Sequence, residues 1–247
     1  MNNKRVIVIT GAGSGVGLST SRLFLKNGWR VALLGRQAET LREASLGHEN
    51  ALVVKCDVTN FEEIESAFNL IISKWLHIDV LFNNAGVSKP ANTIDKISPE
   101  EWSEVVNINL TGSFLCARAA FKAMKNQKPK GGRIINNGSV SSHVPRPGSA
   151  PYTSTKHAIT GLTKSISLDG RPFNIVCGQI DIGNALTPMA RQMTIGVPQA
   201  NGSIEAEATM GTDNVSNTVL HMSELPLDAN IQFVTVMASS MPYIGRG

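Results

Sequence analysis

The sequence predicts an α/β fold in which a doubly wound parallel sheet of about seven strands is covered by helices on both faces. Short runs rich in β-branched residues alternate with helical patterns along most of the chain, an order typical of parallel sheets with crossover helices. A glycine-rich turn follows the first strand directly. Because the sequence contains no internal repeat, low-complexity tract or linker, a single domain over residues 1–247 is the simplest organisation.

Seven segments have the composition of strands, and six have the periodicity of helices. The strands are predicted at residues 6–10, 31–34, 52–56, 80–83, 134–136, 175–177 and 232–236. The helices are predicted near residues 16–27, 38–46, 61–75, 99–125, 152–168 and 213–223. The start of the fourth helix is the best marked, because Ser98-Pro99-Glu100-Glu101 supplies the N-cap, the N1 proline and the N3 glutamate of a capping box.

The segment 179–211 is the least regular part of the sequence. It combines Gly, Pro, Asn and Thr with the apolar side chains of Met189, Met193 and Ile195. Two interpretations are open, a mobile flap over a pocket and a plain surface excursion. The mixed Gly, Pro and Met content favours the flap, which would become ordered when cofactor and substrate are present.

The composition is typical of a globular protein with a small-molecule partner. The formal net charge is +4 and the basic residues are scattered, which does not favour nucleic-acid binding. No apolar run is long enough to span a bilayer and no signal peptide is recognisable, so we expect no membrane association and a cytoplasmic location. Cys56, Cys116 and Cys177 have neither disulfide nor metal-ligand spacing, which predicts buried free thiols and no metal site.

The glycine-rich turn at residues 10–17 is placed to bind a dinucleotide. It joins the first strand to the first helix, so backbone N–H groups and the positive end of the helix dipole would face a pyrophosphate. The usual G-x-G-x-x-G spacing fails, because Val16 occupies its last position, and G-x-x-x-G-x-G fits instead. The cofactor-binding residues predicted in this turn are Gly11, Ser14, Gly15, Val16 and Gly17.

Tyr152 and Lys156 are the candidate proton-transfer pair. They lie four residues apart in a helical stretch, which places both side chains on one face. A phenol has a pKa of about 10, and a neighbouring ammonium would favour its ionised form. Since Tyr-x-x-x-Lys is common by chance, the pair needs support from other residues.

Three further features supply that support. Ser139 lies thirteen residues before Tyr152, just past a predicted strand. The stretch Asn83-Asn84-Ala85-Gly86 ends another strand, and the carboxyl ends of parallel strands are where ligands bind. Residues 107–112 interrupt a long helix with poor helix formers, which is unfavourable unless a local role offsets the cost.

On these residues the sequence resembles a classical short-chain dehydrogenase/reductase over nearly its whole length. The residues that carry the resemblance are the 10–17 turn, Asp57, the 83–86 stretch, Asn109, Ser139, Tyr152 and Lys156. The resemblance implies a Rossmann-type sheet and hydride transfer between NAD(P) and a small carbonyl or alcohol. It also implies a homodimer or homotetramer, assembled through the helices predicted at 99–125 and 152–168.

The resemblance also implies a role for each residue. Tyr152 would be the general acid–base, Ser139 would polarise the substrate oxygen, and Lys156 would hold the nicotinamide ribose and lower the pKa of Tyr152. Asn109 would keep a water in a proton relay behind Lys156. The remaining cofactor contacts would be Asp57 and Val58 at the adenine and Asn84, Ala85 and Gly86 along the dinucleotide.

Some of these assignments have structural alternatives. Asn109 alternatively marks a helix kink, with its side chain satisfied by backbone groups. Asp57 alternatively caps the turn into residues 59–61. Ser141 or Ser142 alternatively replaces Ser139 as the hydroxyl in the site.

The sequence departs from the family pattern after the sixth strand. Relatives usually carry Pro-Gly there, whereas this chain has no such pair between residues 174 and 184, and its C-terminus lacks the common Asp-Gly-Gly. The backbone near Ile182 and the hydroxyl of Thr187 are the best matches to the nicotinamide-contacting positions. The substrate pocket is predicted to be apolar, with two polar contacts; its predicted residues are Val87, Val144, Pro145, Met189, Met193, His143 and Ser141.

The second strand indicates a preference for NADP(H), with NAD(H) as the other possible cofactor. An NAD-selective site places a carboxylate after this strand, whereas this chain has Gly35 followed by Arg36. A guanidinium binds phosphate through paired hydrogen bonds. Two functions of other classes stay open, a catalytically silent NAD(P)-binding regulator and an epimerase or dehydratase on a related scaffold.

Overall fold

A seven-stranded, all-parallel sheet forms the centre of the computed structural model, which describes residues 4–244. The strand order is β3-β2-β1-β4-β5-β6-β9. The sheet strands are β1 (Val6–Thr10), β2 (Arg30–Gly35), β3 (Ala51–Lys55), β4 (Val80–Asn83), β5 (Gly132–Asn137), β6 (Ile175–Gly183) and β9 (Phe233–Met237). The predicted doubly wound Rossmann-type sheet is confirmed.

Helices cover both faces of the sheet, because strand side chains that point in opposite directions are both apolar. In β1, Val6 and Val8 pack into one core cluster, whereas Ile7 and Ile9 pack into the other. The first cluster lies under α3, α5 and α6, and the second lies under α1, α2 and α7. The helices are α1 (Gly15–Lys26), α2 (Ala38–Ser45), α3 (Phe61–Trp75), α4 (Pro99–Val106), α5 (Gly112–Asn126), α6 (Ala150–Gly170) and α7 (Thr212–Glu224).

Two predicted boundaries are wrong. The helix predicted at 99–125 is broken by a π-helical turn, Asn107–Thr111, so α4 and α5 are separate elements. The strand predicted at 175–177 continues to Gly183, because β9 pairs with its second half. The first five residues of the predicted flap are therefore strand, and the irregular excursion begins at residue 184.

The excursion at residues 184–211 contains a small two-stranded antiparallel ribbon formed by β7 (Val197–Pro198) and β8 (Ile204–Glu205). Its two ends lie together, because Ala185 bridges Met210 and the amide of Met210 donates to the carbonyl of Asn184 at 3.0 Å. The excursion is thus a loop whose two ends contact each other.

A row of buried amide side chains crosses the sheet near the carboxyl ends of β4, β5 and β6. Asn83 is paired in register with Asn136, and Asn136 is paired with Gln179. Asn83 Nδ2 donates to Asn136 Oδ1 at 3.1 Å, and Thr163 joins Asn136 to Gln179 through bonds of 2.9 and 3.1 Å. These polar groups are satisfied by one another, as burial requires.

The crevice for a ligand is fixed by the strand order. The chain proceeds outward from β1 in one direction through β2 and β3 and in the other through β4, β5 and β6, so the connections diverge between β1 and β4. The three cysteines are buried free thiols, as predicted. Within residues 4–244, no helix combines the length and the apolar character that crossing a bilayer requires.

The capping box of α4 is confirmed and provides a test of local stability. Glu101 N donates to Ser98 Oγ, and Ser98 N donates to Glu101 Oε2, both at 3.1 Å. We expect Ser98→Ala to lower the free energy of unfolding by about 1 kcal/mol, because one N-terminal amide of the helix loses its acceptor. Chemical denaturation would measure the difference. The control Ser103→Ala, on the exposed side of the same helix, should be neutral or slightly stabilising.

Candidate active site

The glycine turn between β1 and α1 is shaped by close backbone contacts. Gly11 and Gly15 have φ of +64° and +51°, a conformation that favours glycine. A Cβ on Gly17 would lie 2.1 Å from the carbonyl oxygen of Gly11. Ser14 is the N-cap of α1, and within the described residues its side chain makes no capping hydrogen bond. The N-terminus of α1 therefore faces the crevice with its first amides available.

Two adjoining cavities form one groove over the carboxyl edge of the sheet. One has a volume of about 310 Å³ and lies at β4, β5 and β6, and the other has a volume of about 580 Å³ and lies toward β2 and β3. Both are lined by Gly11, Ser14, Ala85 and Gly86, where they meet. Val16 lines the smaller cavity. The groove thus has the elongated form that a dinucleotide requires.

The larger cavity contains the residues predicted to hold the adenosine end. Arg36, Asp57 and Val58 all line it. The Asp57 carboxylate accepts hydrogen bonds from the amide and hydroxyl of Thr59, at 2.9 and 2.8 Å. The turn-capping alternative for Asp57 is therefore realised in the structure, at a position that also faces the cavity.

The stretch after β4 is held against β1 by Thr10. Its hydroxyl accepts hydrogen bonds from Asn84 N and Ala85 N, both at 2.9 Å. Asn84 also donates from Nδ2 to the Thr10 carbonyl and accepts from Asn137 Nδ2, at 2.9 Å in each case. These bonds fix Asn84, Ala85 and Gly86 as the floor of the groove.

Asn109 lies in the π-helical turn, and its side chain clamps the backbone of Val87. Val87 N donates to Asn109 Oδ1 at 2.8 Å, and Asn109 Nδ2 donates to the Val87 carbonyl at 2.9 Å. Asn109 Nδ2 also reaches Thr155 Oγ1 on α6 at 3.3 Å. The backbone-satisfied helix kink proposed as an alternative for Asn109 is present. The predicted water relay remains a prediction.

Ser139, Tyr152 and Lys156 come together at the end of the smaller cavity. Ser139 follows β5, whereas Tyr152 and Lys156 lie one turn apart on α6. Ser139 and Tyr152 both line the cavity, and the Ser139 side chain lies close enough to the Tyr152 phenol to lower its pKa. The Lys156 ammonium donates to the Asn137 carbonyl at 2.6 Å and lies 5.5 Å from the centre of the Tyr152 ring. The structure thus brings the three predicted residues together at one end of the groove.

The electrostatics of the cluster differ from the sequence-based expectation. Burial raises the pKa of Tyr152, the hydrogen bond with Ser139 acts in the opposite direction, and the negative charge of Asp181 raises the pKa further. Burial lowers the pKa of Lys156 to about 8, against the opposing effect of Asp181. The expected lowering of the Tyr152 pKa is therefore not found, because burial and the charge of Asp181 outweigh the hydrogen bond with Ser139. Tyr152 stays a protonated phenol at neutral pH.

Only some of the residues predicted to line a substrate pocket lie at the smaller cavity. Met189, Met193 and Ser141 line the smaller cavity, together with the predicted nicotinamide neighbours Ile182 and Thr187. Val87 lies on the larger cavity instead, and Val144 is exposed. His143 does not serve as a free polar contact, because its Nε2 lies 3.0 Å from Asp181 Oδ2.

Two polar clusters at the site were not predicted from the sequence. Arg146 and Asn184 line the smaller cavity and bind Glu207, whose side chain is 1% exposed. Asp181 lies behind Ser139 in β6. Each cluster joins residues that are far apart in sequence, so no spacing rule identifies them. The only local signal was polar residues inside an otherwise apolar strand, residues 179 and 181.

Both the sequence and the fold are similar to those of known dehydrogenases and reductases. A family profile described as short chain dehydrogenase matches residues 5–196. 2-(R)-hydroxypropyl-CoM dehydrogenase of Xanthobacter autotrophicus is 37% identical over 194 residues, which cover 76% of this chain and 77% of that protein. Trans-4-hydroxycyclohexanecarboxylate dehydrogenase of Sinomonas cyclohexanicum is 31% identical over 230 residues, which cover 89% of this chain and 86% of that protein.

A solved structure agrees with these relatives. A variant of actinorhodin polyketide ketoreductase, crystallised with NADPH, has a TM-score of 0.84 at 27% identity, and the match covers 96% of this chain and 97% of that one. The family profile spans well over half of the chain, and both curated relatives exceed 30% identity over most of their length. The chain therefore belongs to the short chain dehydrogenase family and is an oxidoreductase that acts on CH–OH or C=O groups.

Proposed function

We propose that the protein transfers hydride between NADP(H) and a small carbonyl or alcohol, with Tyr152 as the proton-transfer group. The observation that carries the proposal is the pair of hydroxyls from Ser139 and Tyr152, which meet at the end of a groove long enough for a dinucleotide. In this role Ser139 donates a hydrogen bond to the substrate oxygen, and Tyr152 gives that oxygen its proton during reduction.

The hydrogen-bond donors that face the groove fit a nicotinamide dinucleotide. The glycine turn leaves the first amides of α1 open to a pyrophosphate, and Lys156 makes one hydrogen bond within residues 4–244 although its ammonium has three donors. The remaining donors of Lys156 would hold the ribose hydroxyls. When bound, the dinucleotide supplies or accepts the hydride.

The charge states of the site support reduction at neutral pH. Tyr152 is held as a phenol, which is the form that donates a proton. Lys156 has a pKa of about 8 and is therefore cationic at neutral pH, where it favours the phenolate that remains after transfer. Asn109 contributes by fixing Val87 and α6, through Thr155, on the two sides of the groove.

The preference for NADP(H) rests on Arg36 at the adenosine end. Arg36 is exposed and lines the larger cavity together with Gln37 and Thr40, and Gly35 provides no carboxylate to repel a 2′-phosphate. The NADPH bound in the related ketoreductase is consistent with this choice. Asp57 lies on the same cavity, and its Oδ1 accepts both hydrogen bonds from Thr59.

The excursion at 184–211 is proposed to cover the substrate. Met189, Ala190 and Met193 form its cavity-facing side. It is fastened to the loop before α6 by Arg146, whose two terminal nitrogens bind the two carboxylate oxygens of Glu207 at 2.5 and 2.6 Å. Burial alone would raise the pKa of Glu207, but hydrogen bonds from Arg146, Gln199 and Asn184 and the charge of Arg146 lower it to about 2.

An oligomer is also proposed, through helices that expose large apolar side chains. Trp102 on α4, Phe114 on α5 and Leu168 on α6 are 42%, 49% and 58% exposed. Contact between copies of these helices would bury this apolar surface, which supports a homodimer or homotetramer.

Tyr152→Phe tests the proton-transfer role. We expect kcat for carbonyl reduction to fall by about 10²–10⁴-fold while NADPH still binds, because only the proton donor is lost. Steady-state kinetics and a cofactor-binding titration would measure the two effects. The control is Tyr243→Phe, the only other tyrosine in the sequence, which should keep the parental rate. A Tyr152→Phe enzyme with parental kcat would remove Tyr152 from the mechanism.

Arg36→Ala tests the cofactor preference. Loss of a charge-assisted phosphate contact should weaken NADP(H) by roughly 1.5–3 kcal/mol and leave NAD(H) nearly unchanged. The measurement is kcat/KM for both cofactors in the parent and the variant. Arg42→Ala on the neighbouring helix, where the arginine pairs with Glu39, is the matched control. The assignment is wrong if the parent favours NAD(H), or if Arg36→Ala weakens both cofactors equally.

Glu207→Gln tests the attachment of the excursion. The substitution keeps the shape but removes the charge that Arg146 binds, so amide exchange across residues 184–211 should accelerate by about tenfold or more, which corresponds to roughly 1.4 kcal/mol. Hydrogen-exchange mass spectrometry would measure it. Glu205→Gln, in the exposed strand of the same ribbon, should leave exchange unchanged. Equal exchange in the two variants would argue against the ion pair as the fastening.

A further inference from the structure

Asp181 is a buried carboxylate at the active site that takes no direct part in the proposed proton transfer. It lies in the second half of β6 and is 1% exposed. A carboxylate that has lost its hydration is unfavourable unless donors replace the water. A buried carboxylate such as Asp181 therefore needs hydrogen-bond donors around it.

Three groups from two elements surround the carboxylate: Gln179 on β6 itself, and Ser139 and His143 at the two ends of the short helical turn after β5. Oδ1 accepts from the amide of Ser139 at 3.0 Å and from Nε2 of Gln179 at 2.8 Å. Oδ2 lies 3.0 Å from Nε2 of His143, on the short helical turn after β5. Gln179 is also the last member of the amide row. Asp181 is therefore bound to the interior of the sheet through Gln179 and to the surface through His143, which is partly exposed.

The carboxylate lies tightly against the loop that carries Ser139. A Cβ on Gly138 would be 2.1 Å from Asp181 Oδ1, so the glycine allows the backbone to reach the carboxylate. The amide of Gly138 is bound to the carbonyl of Ile180 at 2.8 Å, next to the bond between Ser139 and Asp181. The position of Ser139, and with it the hydroxyl that meets Tyr152, is thus set from β6.

We propose that Asp181 is a positioning residue for the proton-transfer group: its carboxylate fixes the backbone of Ser139 and places a negative charge beside Tyr152 and Lys156. The inference rests on the proposed function, because it concerns the same phenol and the same ammonium. Its consequence is directional. A fixed negative charge disfavours the phenolate and favours the ammonium, which keeps Tyr152 a proton donor.

The groups that face this charge come from every element around it. α6 contributes Tyr152 and Lys156, whose pKa values Asp181 raises. The turn after β5 contributes His143, and β6 itself contributes Gln179. From β9, the register partner of Asp181 is Thr235, which carries no charge. Removal of the Asp181 charge should therefore lower the pKa of Tyr152 and of Lys156 together.

The test is Asp181→Asn in a Tyr243→Phe background, where Tyr152 is the only tyrosine left. Asparagine can still accept from Ser139 and Gln179 through Oδ1, and its amide nitrogen takes the place of Oδ2 next to His143 Nε2, so we expect the fold to be retained. We expect the pH midpoint of Tyr152 phenolate absorbance, and the basic limb of the reduction rate, to move to lower pH, because the negative charge that disfavours the phenolate is gone. Asp169→Asn, at an exposed site on α6, is the charge control and should not move either midpoint.

The outcomes separate the inference from the proposed function. A midpoint for Asp181→Asn equal to that of Asp169→Asn overturns the inference, even if the rate falls, because a merely structural role lowers rates without moving a titration. The absorbance titration needs no turnover, so a shifted phenolate midpoint in a protein that reduces no carbonyl contradicts the proposed function and supports the inference. If the asparagine variant does not fold, Asp181→Ala removes the same charge and carries the same expectation.

Discussion

The arrangement of the site depends on one series of hydrogen bonds that runs along the carboxyl edge of the sheet. The hydroxyl of Thr10 holds the backbone of Asn84, Asn84 Oδ1 holds the side chain of Asn137, and the Asn137 carbonyl holds the ammonium of Lys156. Each bond joins one strand end to the next, from β1 through β4 and β5 to α6. Because these groups are largely removed from water, none can leave its partner without a desolvation cost, so the glycine turn and the catalytic helix keep a fixed separation.

Burial sets the proton affinity of the site more strongly than charge pairing does. A tyrosine and a lysine one helical turn apart suggest an ammonium that lowers the phenol pKa, and the spacing alone supports that inference. In the folded chain the phenol lies beside Ser139 at the end of the smaller cavity, and loss of hydration raises its pKa instead. The same enclosure lowers the pKa of Lys156. A closed site thus opposes charge on both members of the pair, and the nearby carboxylate of Asp181 offsets this effect only for the ammonium.

The parts of the structure that the sequence predicted are those that local patterns encode. Strand β1 and its glycine turn, the capping box at Ser98 and the spacing of Tyr152 and Lys156 each depend on residues within about one or two helical turns, so period and spacing identify them. The length of β6 could not be predicted, because its second half is strand only through pairing with β9, some fifty residues later in the chain. The contacts of Arg146 with Glu207 and of Ser139 with Asp181 have the same origin, since 61 and 42 residues separate the partners.

The closed base of the excursion has a consequence for how specificity can change in evolution or by design. Its ends meet where Ala185 bridges Met210, and Glu207, close to the second end, forms a buried ion pair with Arg146 in the loop before α6. The residues between, including Met189 and Met193, form a compact loop with adjacent ends, a geometry that can be exchanged as a unit. Transplanting residues 189–206 from a relative would therefore replace Met189 and Met193 in the substrate cavity and leave in place Thr187, which lies against Gly15 of the glycine turn. Such a graft offers a modular route to new substrates on an unaltered catalytic scaffold.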